Sequence, residues 1–227
     1  MTKHPATKGT ILEILRMSTE DGPGIRTTVF FKGCSLACAW CHNPESILPK
    51  PQIQWMKTVC IGCGICLDAC PQKALSRAED AGIVIDRGRC QGCGTCAGEC
   101  PSAAMELLGK KWDVHELAGE LVKDRVYFEK SGGGVTLSGG EAALQQNFCL
   151  SLLQDLRGRG IATALDTCGQ VSSKVLADLL PYVDLLLYDL KEIDPQKHRA
   201  FTGADNEKIL ANAVFAAEFK KNHPYPK

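Results

Sequence analysis

One four-cysteine run occurs twice in this 227-residue chain, and this repeat restricts the fold more than any other sequence feature. The two copies span residues 60–71 and 90–101, and each reads C-x₂-C-x₂-C-x₃-C-P. Small residues between the cysteines let backbone N–H groups turn toward the sulfurs, and the closing proline fixes φ and removes a donor. The repeat therefore predicts two equivalent metal-binding loops.

This spacing is typical of bacterial two-cluster ferredoxins, in which the fourth cysteine of each run crosses to the other [4Fe-4S] cube. The predicted ligands of one cube are Cys60, Cys63, Cys66 and Cys100, and those of the other are Cys90, Cys93, Cys96 and Cys70. A structural zinc module is the alternative, because its ligands typically come as two C-x₂₋₄-C pairs. Eight cysteines in two identical halves fit zinc poorly.

A different cysteine group precedes the repeat. Cys34, Cys38 and Cys41 have the spacing C-x₃-C-x₂-C, with no fourth cysteine close behind. Three thiolates can hold three irons of a [4Fe-4S] cube, which leaves the fourth iron free for a ligand that is not protein. The alternative is a zinc site completed by His42. However, His42 directly follows Cys41, and side chains at this spacing rarely converge on one metal.

Composition restricts the class of protein. Lys plus Arg and Asp plus Glu both number 26, so the net charge gives no sign of nucleic-acid binding. No secretory signal opens the chain, and no apolar stretch reaches transmembrane length. The expectation is a soluble cytoplasmic protein without nucleic-acid or membrane partners. In such a chain, clustered cysteines indicate metal rather than disulfides.

Strands alternate with helices outside the repeat, which predicts βα units and a parallel sheet. Four strands are predicted near residues 25–33, 134–138, 161–166 and 183–190, the last of them nearly all apolar and buried. Helices are predicted over 113–128, with Asp113 as cap, and over 142–159, 172–180 and 206–221. Residues 10–33 are interpreted as the first strand with its approach, and 47–54 as a linker. The three-cysteine loop then leaves the first strand, where α/β folds usually build active sites.

The three-cysteine loop resembles the cluster loop of the radical S-adenosylmethionine superfamily. The strings Glu-Asp-Gly-Pro-Gly-Ile-Arg-Thr at 20–27 and Cys-His-Asn-Pro-Glu-Ser at 41–46 are similar to one branch, the glycyl-radical-enzyme activating enzymes, which include the pyruvate formate-lyase activating enzyme. The resemblance extends from about residue 9 to about residue 212. It includes His198 and the stretch 200–206, for which no chemistry can be derived from the sequence.

The resemblance implies an α/β fold, a partial (β/α) barrel of the radical S-adenosylmethionine type. Four of the usual six βα units would be present, with an inserted ferredoxin-like α+β domain that holds two [4Fe-4S] clusters. Residues 1–54 would form the first βα unit with the cluster loop, 55–106 the insert and 107–227 the remainder of the barrel. Because a fifth and a sixth strand are usual, the chain is expected to be a C-terminally truncated relative with an apolar edge at 183–190. The alternative is a genuinely short family member whose edge is covered by a partner subunit.

The resemblance also implies an activity with three [4Fe-4S] clusters. S-adenosylmethionine would bind the open iron through its amino and carboxylate groups, and an electron from the reduced cube would break a C–S bond. The resulting 5′-deoxyadenosyl radical would take a hydrogen atom from the Cα of one glycine in a partner, a glycyl radical enzyme. A flavodoxin- or ferredoxin-type protein would donate the electron. Oxygen quenches a backbone radical, so an anaerobic cytoplasm is expected.

Site residues follow from the resemblance residue by residue. Cys34, Cys38 and Cys41 would be catalytic, Trp40 would lie against the adenine, and the turn at Gly139, Gly140 and Glu141 would hold the amino group. Lys191 would pair with the carboxylate, and a monovalent cation would bind near the cofactor at Asp166, Thr167, Asp189 and the carbonyl of Leu187. Ala142 stands where the family usually has proline, which would loosen this turn. The alternatives are core packing for Trp40, a plain strand–helix loop for the glycines and a structural Asp–Lys ion pair.

Two other functions remain open at this point. A radical S-adenosylmethionine enzyme acting on a small molecule is disfavoured by the two strings at 20–27 and 41–46. A ferredoxin-like electron carrier without catalysis would suit the repeat, but a carrier has no need for the open iron of the three-cysteine loop. Cys149 and Cys168 are left over and are interpreted as buried thiols without a catalytic role.

Overall fold

A computed structural model describes residues 8–79 and 82–223, and its chain divides into two compact units. One unit comprises Met1–Pro49 with Lys111–Lys227, and the other comprises Lys50–Lys110. Together their elements make a mixed α/β protein.

The strands in the described residues are β1 (Lys8–Ser18), β2 (Arg26–Phe31), β3 (Gln52–Trp55), β4 (Leu75–Ala78), β5 (Gly82–Ile85), β6 (Met105–Leu108), β7 (Lys110–Asp113), β8 (Gly134–Gly139), β9 (Thr163–Thr167) and β10 (Leu185–Tyr188). The α-helices there are α1 (Ile65–Ala69), α2 (Thr95–Gly98), α3 (Val114–Val122), α4 (Arg125–Ser131), α5 (Gln146–Gly158), α6 (Ser173–Leu179), α7 (Pro195–Thr202) and α8 (Glu207–Asn222).

The larger unit is built on a sheet with the order β10-β9-β8-β2-β1-β7. Strands β2, β8, β9 and β10 are mutually parallel, which confirms the four predicted strands. The interpretation of residues 10–33 as one strand with its approach is wrong, because β1 is a separate strand antiparallel to β2. The chain reverses through Gly22 (φ +123°) and Gly24 (φ +73°), a backbone region that glycine enters without steric cost.

The core of this unit lies between the sheet and the helices that follow its strands. Val29, Phe31, Val135, Leu137 and Leu165 are fully buried in the strands. They share one hydrophobic cluster with Leu117 and Leu121 of α3, Leu152 and Leu156 of α5, and Leu176 of α6. Each such side chain stabilises the fold by about 1.5–3 kcal/mol.

The predicted helix over 113–128 is wrong as a single element, because α3 and α4 break at Lys123 and Asp124. Asp113 does cap α3, since its Oδ1 accepts a 2.9 Å hydrogen bond from the backbone N–H of His115. Asp124 is buried and its carboxylate accepts from Thr27 Oγ1 at 2.7 Å and from the Arg16 guanidinium. These tertiary contacts turn Asp124 toward the sheet and override the local helical pattern.

Other boundaries shift by smaller amounts. The helix predicted over 142–159 begins as a 3₁₀ turn at Ala142–Gln145 before α5, and α8 confirms the last predicted helix. The helix predicted over 172–180 is α6 followed by a 3₁₀ turn at Leu180–Tyr182. Helix α7 was missed, although Asp194 caps it and Pro195 opens it, both common at helix N-termini.

The last strand is shorter and more exposed than predicted. Strand β10 covers Leu185–Tyr188, all four residues are only partly buried, and Leu190 beyond it is 49% exposed. It lies at one edge of the sheet order and pairs with β9. The expectation of a fully buried strand over 183–190 is therefore wrong for the described residues.

The smaller unit reflects the sequence repeat. Strand β3 pairs with β6 and β4 pairs with β5, both antiparallel, so the linker predicted at 47–54 contains most of a strand. Helices α1 and α2 each begin after a left-handed glycine, Gly64 (φ +81°) and Gly94 (φ +83°). A small core forms around Ile53, Ile83 and Met105 together with Cys66 and Cys96.

Candidate active site

A cavity of about 360 Å³ lies where the parallel strands β2, β8, β9 and β10 end. Ten of the predicted site residues line it: Cys34, Cys38, Trp40, Cys41, Gly139, Gly140, Asp166, Thr167, Asp189 and Lys191. Each lies at the carboxyl end of one of these strands or in the loop that follows it. Asp21, Ser138 and Cys168 also line the cavity and were missed as lining residues by the sequence reasoning.

The three-cysteine loop is held by main-chain hydrogen bonds from other segments. Its first residues are bound by the turn behind the loop, since Gly33 N donates to Ser46 O at 2.7 Å and Cys34 N donates to Ile47 O at 3.0 Å. Within the loop, Cys41 N donates to Cys38 O at 3.0 Å. Burial raises the pKa of the Cys34 and Cys38 thiols, and the nearby Lys191 ammonium opposes this at Cys38.

Gly139 and Gly140 bring the end of β8 against the end of β2. Gly139 has φ +105°, and a Cβ on it would lie 2.2 Å from Phe31 N. A Cβ on Gly140 would lie 2.3 Å from Gly33 O. Both positions therefore require glycine for backbone packing, independently of any ligand.

Glu141 lies behind this wall. Of the described residues, Gly139 and Gly140 line the cavity whereas Glu141 does not, and its side chain is fully buried. The carboxylate accepts hydrogen bonds from Thr167 Oγ1 (2.8 Å), Cys168 N (3.0 Å) and Cys168 Sγ (3.1 Å), and from Ala143 N (3.1 Å). Burial raises the pKa of Glu141, and these donors oppose that shift. Glu141 thus ties the ends of β8 and β9 together.

Charged side chains also line the cavity. Lys191 Nζ donates to Asp189 Oδ2 at 2.5 Å, so these two residues form an ion pair beside the cavity. Burial disfavours the charge on Lys191, but Asp189 outweighs it and raises the pKa of Lys191. Burial also raises the pKa of Asp166, whose Oδ2 accepts from Ser138 Oγ at 2.6 Å.

Trp40 is not a core residue. Its side chain is 46% exposed at the cavity, and its ring centroid lies 5.7 Å from that of Phe201, which is 45% exposed. The ordinary-packing alternative for Trp40 is therefore wrong, and its ring is available on the cavity side.

The smaller unit contains two further cavities, each bordered by four cysteines. One is lined by Cys60, Cys63, Cys66 and Cys100, and the other by Cys70, Cys90, Cys93 and Cys96. In the part of the chain that the structure describes, no three His, Cys, Asp or Glu side chains converge as they would on a single metal ion.

Comparison with known proteins bears on both units. The family model of a 4Fe-4S dicluster domain matches residues 59–104, and that of a 4Fe-4S single cluster domain matches residues 20–63. The chain is 42% identical over 218 residues to the (2S)-3-sulfopropanediol dehydratase activating enzyme of Klebsiella oxytoca, covering 94% of this chain and 69% of that protein. The chain belongs to the glycyl-radical-enzyme activating enzymes.

Two further relatives of the same kind extend the comparison. The trans-4-hydroxy-L-proline dehydratase activating enzyme of Clostridioides difficile is 44% identical, with 93% of this chain and 70% of that protein covered. The choline trimethylamine-lyase activating enzyme of Oleidesulfovibrio alaskensis is 41% identical, with 95% and 70% covered. This activating enzyme is therefore an oxidoreductase-type radical S-adenosylmethionine protein with iron–sulfur domains.

The string at 20–27 of this activating enzyme is a hydrogen-bonded corner beside the cavity. Asp21 lines the cavity, and its Oδ2 accepts from Thr28 Oγ1 at 2.6 Å. Arg26 is buried and donates from Nε to Thr136 Oγ1 (2.6 Å) and from Nη2 to Val135 O (3.0 Å). The sequence feature that could have identified Asp21 is its position in the string at 20–27, which is similar to the family.

In the described residues of this activating enzyme, no helix has the length and apolarity needed to cross a membrane.

Proposed function

We propose that this chain activates a glycyl radical enzyme by reductive cleavage of S-adenosylmethionine, followed by removal of a hydrogen atom from a glycine Cα of that partner. One observation carries the proposal: the three cysteines of one loop, which has no fourth cysteine of its own, line one cavity together with a glycine turn and an Asp–Lys pair. The volume of this cavity, about 360 Å³, is in the range of small-molecule sites.

In this proposal Cys34, Cys38 and Cys41 hold three irons of a [4Fe-4S] cube. When bound, the cube supplies the electron that breaks a C–S bond of S-adenosylmethionine. The chain's own contribution is to leave one iron accessible from the cavity. The loop keeps its cysteines in place through the backbone bonds to Ser46 and Ile47.

The residues that line the cavity are proposed to bind different groups of S-adenosylmethionine. The backbone at Gly139 and Gly140 lines the cavity without side chains, so it can approach an amino group closely. Lys191, which pairs with Asp189 in this structure, is proposed to pair with the carboxylate of S-adenosylmethionine as well, and Trp40 is proposed to pack its aromatic face against the adenine. Glu141 stabilises the glycine turn from behind and is proposed as a supporting residue of the same site.

A monovalent cation is proposed beside the cofactor, held by the carboxylates of Asp166 and Asp189. Thr167 is its third proposed ligand. Its hydroxyl donates to Glu141 at 2.8 Å and its oxygen accepts from Gly169 N at 3.0 Å, which leaves one lone pair of that oxygen for a cation. The carbonyl of Leu187 completes the set. Carboxylate and carbonyl oxygens are suitable ligands for such a hard cation.

The larger unit is proposed to be a partial (β/α) barrel with four βα units, and residues 55–106 its ferredoxin-like insert. The four parallel strands and the common location of the site at their carboxyl ends support the barrel. The two four-cysteine cavities support two [4Fe-4S] clusters in the insert, which makes three in the chain.

The insert is proposed to pass electrons from a flavodoxin- or ferredoxin-type donor to the cube of the three-cysteine loop. Apart from the cysteines, most of the described residues that line its cavities are apolar or glycine, with Arg77 and Ser102 at one cavity and Gln72 and Gln91 at the other as the polar ones. Replacing Cys63 and Cys93 by alanine should slow the reduction of the first cube by a protein donor. Normal activation of the partner with that donor would contradict the relay.

The partner is proposed to be a glycyl radical enzyme of the kind that the relatives' names describe, dehydratases and a lyase. The test is anaerobic incubation of reduced, reconstituted protein with S-adenosylmethionine. Formation of 5′-deoxyadenosine supports the enzyme and excludes a pure electron carrier. A glycyl radical signal by electron paramagnetic resonance in the glycyl radical enzyme encoded nearest to this chain supports the partner. Cofactor cleavage without that signal, but with turnover of a small molecule, would contradict it.

A further inference from the structure

The end of helix α7 contacts the three-cysteine loop through its main chain. Ala37 N donates to Thr202 O at 2.8 Å, and Ala39 N donates to Phe201 O at 2.8 Å. Ala37 lies in the interval between Cys34 and Cys38, and Ala39 lies in the interval between Cys38 and Cys41. Each interval between the cysteines is therefore held by one hydrogen bond from the same helix end.

These acceptors are available because of how the helix ends. The last carbonyls of an α-helix have no partner within the helix. Helix α7 stops at Thr202, and Gly203 closes it in the left-handed conformation (φ +82°), with its N–H donated to Arg199 O at 3.0 Å. The carbonyls of Phe201 and Thr202 thus point out of the helix and accept from the loop.

Side chains add a second connection between the same two segments. The Phe201 ring lies 5.7 Å from the Trp40 ring at an interplanar angle of 54°. Both rings are nearly half exposed. Phe201 therefore restricts the position of the aromatic side chain that is proposed to face the adenine.

The helix end is itself fixed by an internal network. His198 is fully buried, and its Nδ1 lies 2.7 Å from Ala204 O. Thr202 Oγ1 donates to His198 O at 2.7 Å. Asn206 donates from Nδ2 to Glu192 O at 3.0 Å and to Ile193 O at 2.7 Å. These contacts are made entirely within residues 192–206 and require no ligand.

We propose that the segment 198–206 is a positioning element that sets the spacing of Cys34, Cys38 and Cys41 and the orientation of Trp40 before the first cube binds. This inference rests on the proposed function and deepens it. Phe201 and Thr202 make the contacts, whereas His198, Gly203 and Asn206 keep them in place. None of these residues touches the reacting atoms, so they are positioning residues.

The chain offers a matched pair of variants for the test. Gly203 and Gly160 both follow a helix in the left-handed conformation, with φ +82° and +72°, and an added Cβ would meet nothing within 4 Å at either position. Gly203→Ala and Gly160→Ala therefore impose the same kind of backbone strain. The carbonyls that hold the cluster loop depend on Gly203 and not on Gly160.

After anaerobic reconstitution, Gly203→Ala should lose iron and the paramagnetic signal of the first cube, while the signals of the two insert cubes remain. We expect formation of 5′-deoxyadenosine to fall by about 10²-fold, as for a misplacement of ~1 Å near a reacting group. Gly160→Ala should keep iron and activity like the unaltered protein. Equal losses in both variants, or full iron and activity in Gly203→Ala, would overturn the inference.

A milder variant keeps the test valid if Gly203→Ala does not fold. Phe201→Ala removes only an exposed ring, and Val214→Ala, at a side chain 60% exposed on α8, is its control. We expect Phe201→Ala to weaken S-adenosylmethionine binding about fivefold, with unchanged iron, because one aromatic contact is lost. Unchanged affinity and an unchanged cofactor-induced shift of the cube's signal would overturn the role of Phe201. If the unaltered protein does not cleave the cofactor, the proposed function fails, whereas iron content still tests the positioning role.

Discussion

The three-cysteine loop and the two ferredoxin-type runs present the same side chain, cysteine, at different kinds of site. Cys34, Cys38 and Cys41 border a cavity of about 360 Å³ whose lining also includes Cys168, from the end of β9, and charged and aromatic side chains. In the smaller unit, four cysteines border each cavity, and most of the other residues around them are apolar or glycine. We propose that the number of thiolates that bind a cube, and the side chains around that cube, determine whether it exchanges only electrons or also binds a substrate.

The two regions also differ in what holds them. In the ferredoxin-type runs, Gly64 and Gly94 start short helices within the runs themselves, so three of the four cysteines at each cavity are placed locally and the fourth comes from the other run. The three-cysteine loop is bound instead by segments far along the chain, including Thr202. A local site is expected to tolerate distant substitutions, whereas the loop should not.

The largest expected effect comes from removing the site that distinguishes the two regions. Replacing Cys34, Cys38 and Cys41 by alanine should abolish 5′-deoxyadenosine formation, because no thiolate is left to hold the first cube. Iron should fall from roughly twelve to roughly eight per chain, since each cube contains four irons. Iron analysis and paramagnetic resonance of the reduced protein measure this. Loss of all clusters together would show that the cysteines are divided wrongly.

A second variant tests the crossed ligand sets of the smaller unit. Cys100→Ala should disrupt the same cube as Cys63→Ala, because both thiols border one cavity although they belong to different runs. The expected loss is up to roughly four irons per chain, with the first cube unaffected. Cys93→Ala is the matched control and should alter the other cube's signal. If Cys100→Ala and Cys93→Ala gave the same spectrum, the crossing would be contradicted.

A third variant tests whether the wall of the cavity at the three-cysteine loop depends on a distant contact. Glu141→Gln keeps the size of the side chain but replaces one acceptor oxygen by a donor, opposite the donors Thr167 and Cys168. A buried amide N–H₂ group that faces other donors leaves hydrogen bonds unmade. The substitution should therefore lower the free energy of unfolding by about 1–3 kcal/mol and weaken S-adenosylmethionine binding.

The matched control for that change is Glu106→Gln, at an exposed position of β6 in the smaller unit. It should change stability by less than about 0.5 kcal/mol, as surface substitutions usually do. Chemical denaturation and equilibrium binding measure both variants. Equal stability of Glu141→Gln and the unaltered protein would show that Glu141 does not support the wall.

The smallest expected effect is at a surface ion pair apart from both cysteine sites. Asp155 accepts from the guanidinium of Arg159, and its Oδ2 lies 2.7 Å from His115 Nδ1. Burial raises the pKa of Asp155, but Arg159 and His115 outweigh this effect and the net pKa is lowered. A lowered pKa in the folded state contributes stability above the unfolded-state pKa, and this stability is lost as pH falls through the folded-state pKa.

Asp155→Asn should therefore lower the free energy of unfolding by about 0.3–0.5 kcal/mol at neutral pH. The difference should disappear in acid, and iron content should not change. A difference that grows as the pH falls would contradict this reading of the ion pair. Denaturation at several pH values makes the measurement.

Several parts of the fold could be predicted because their signals are local. Apolar runs gave the positions of the four parallel strands, and Asp113 marked the start of α3. The separate strand β1 was missed because its turn uses Gly22 and Gly24 to reverse the chain without a hydrophobic signal. The break between α3 and α4 was missed because the Asp124 carboxylate accepts a hydrogen bond from Thr27, which is 97 residues away in the chain.

By itself, the sequence determined which cysteines share a loop, because their spacing limits which thiolates can reach one cluster. It also determined that strands would carry the remaining candidate residues to one edge, because parallel strands end together. Only the tertiary structure decided that Glu141 lies behind the cavity wall, bonded to Thr167, and that the end of α7 holds Ala37 and Ala39. These contacts join backbone and side-chain groups that are far apart in the chain, and no sequence pattern links the residues that form them. They therefore exist only once the sheet has brought the strand ends together.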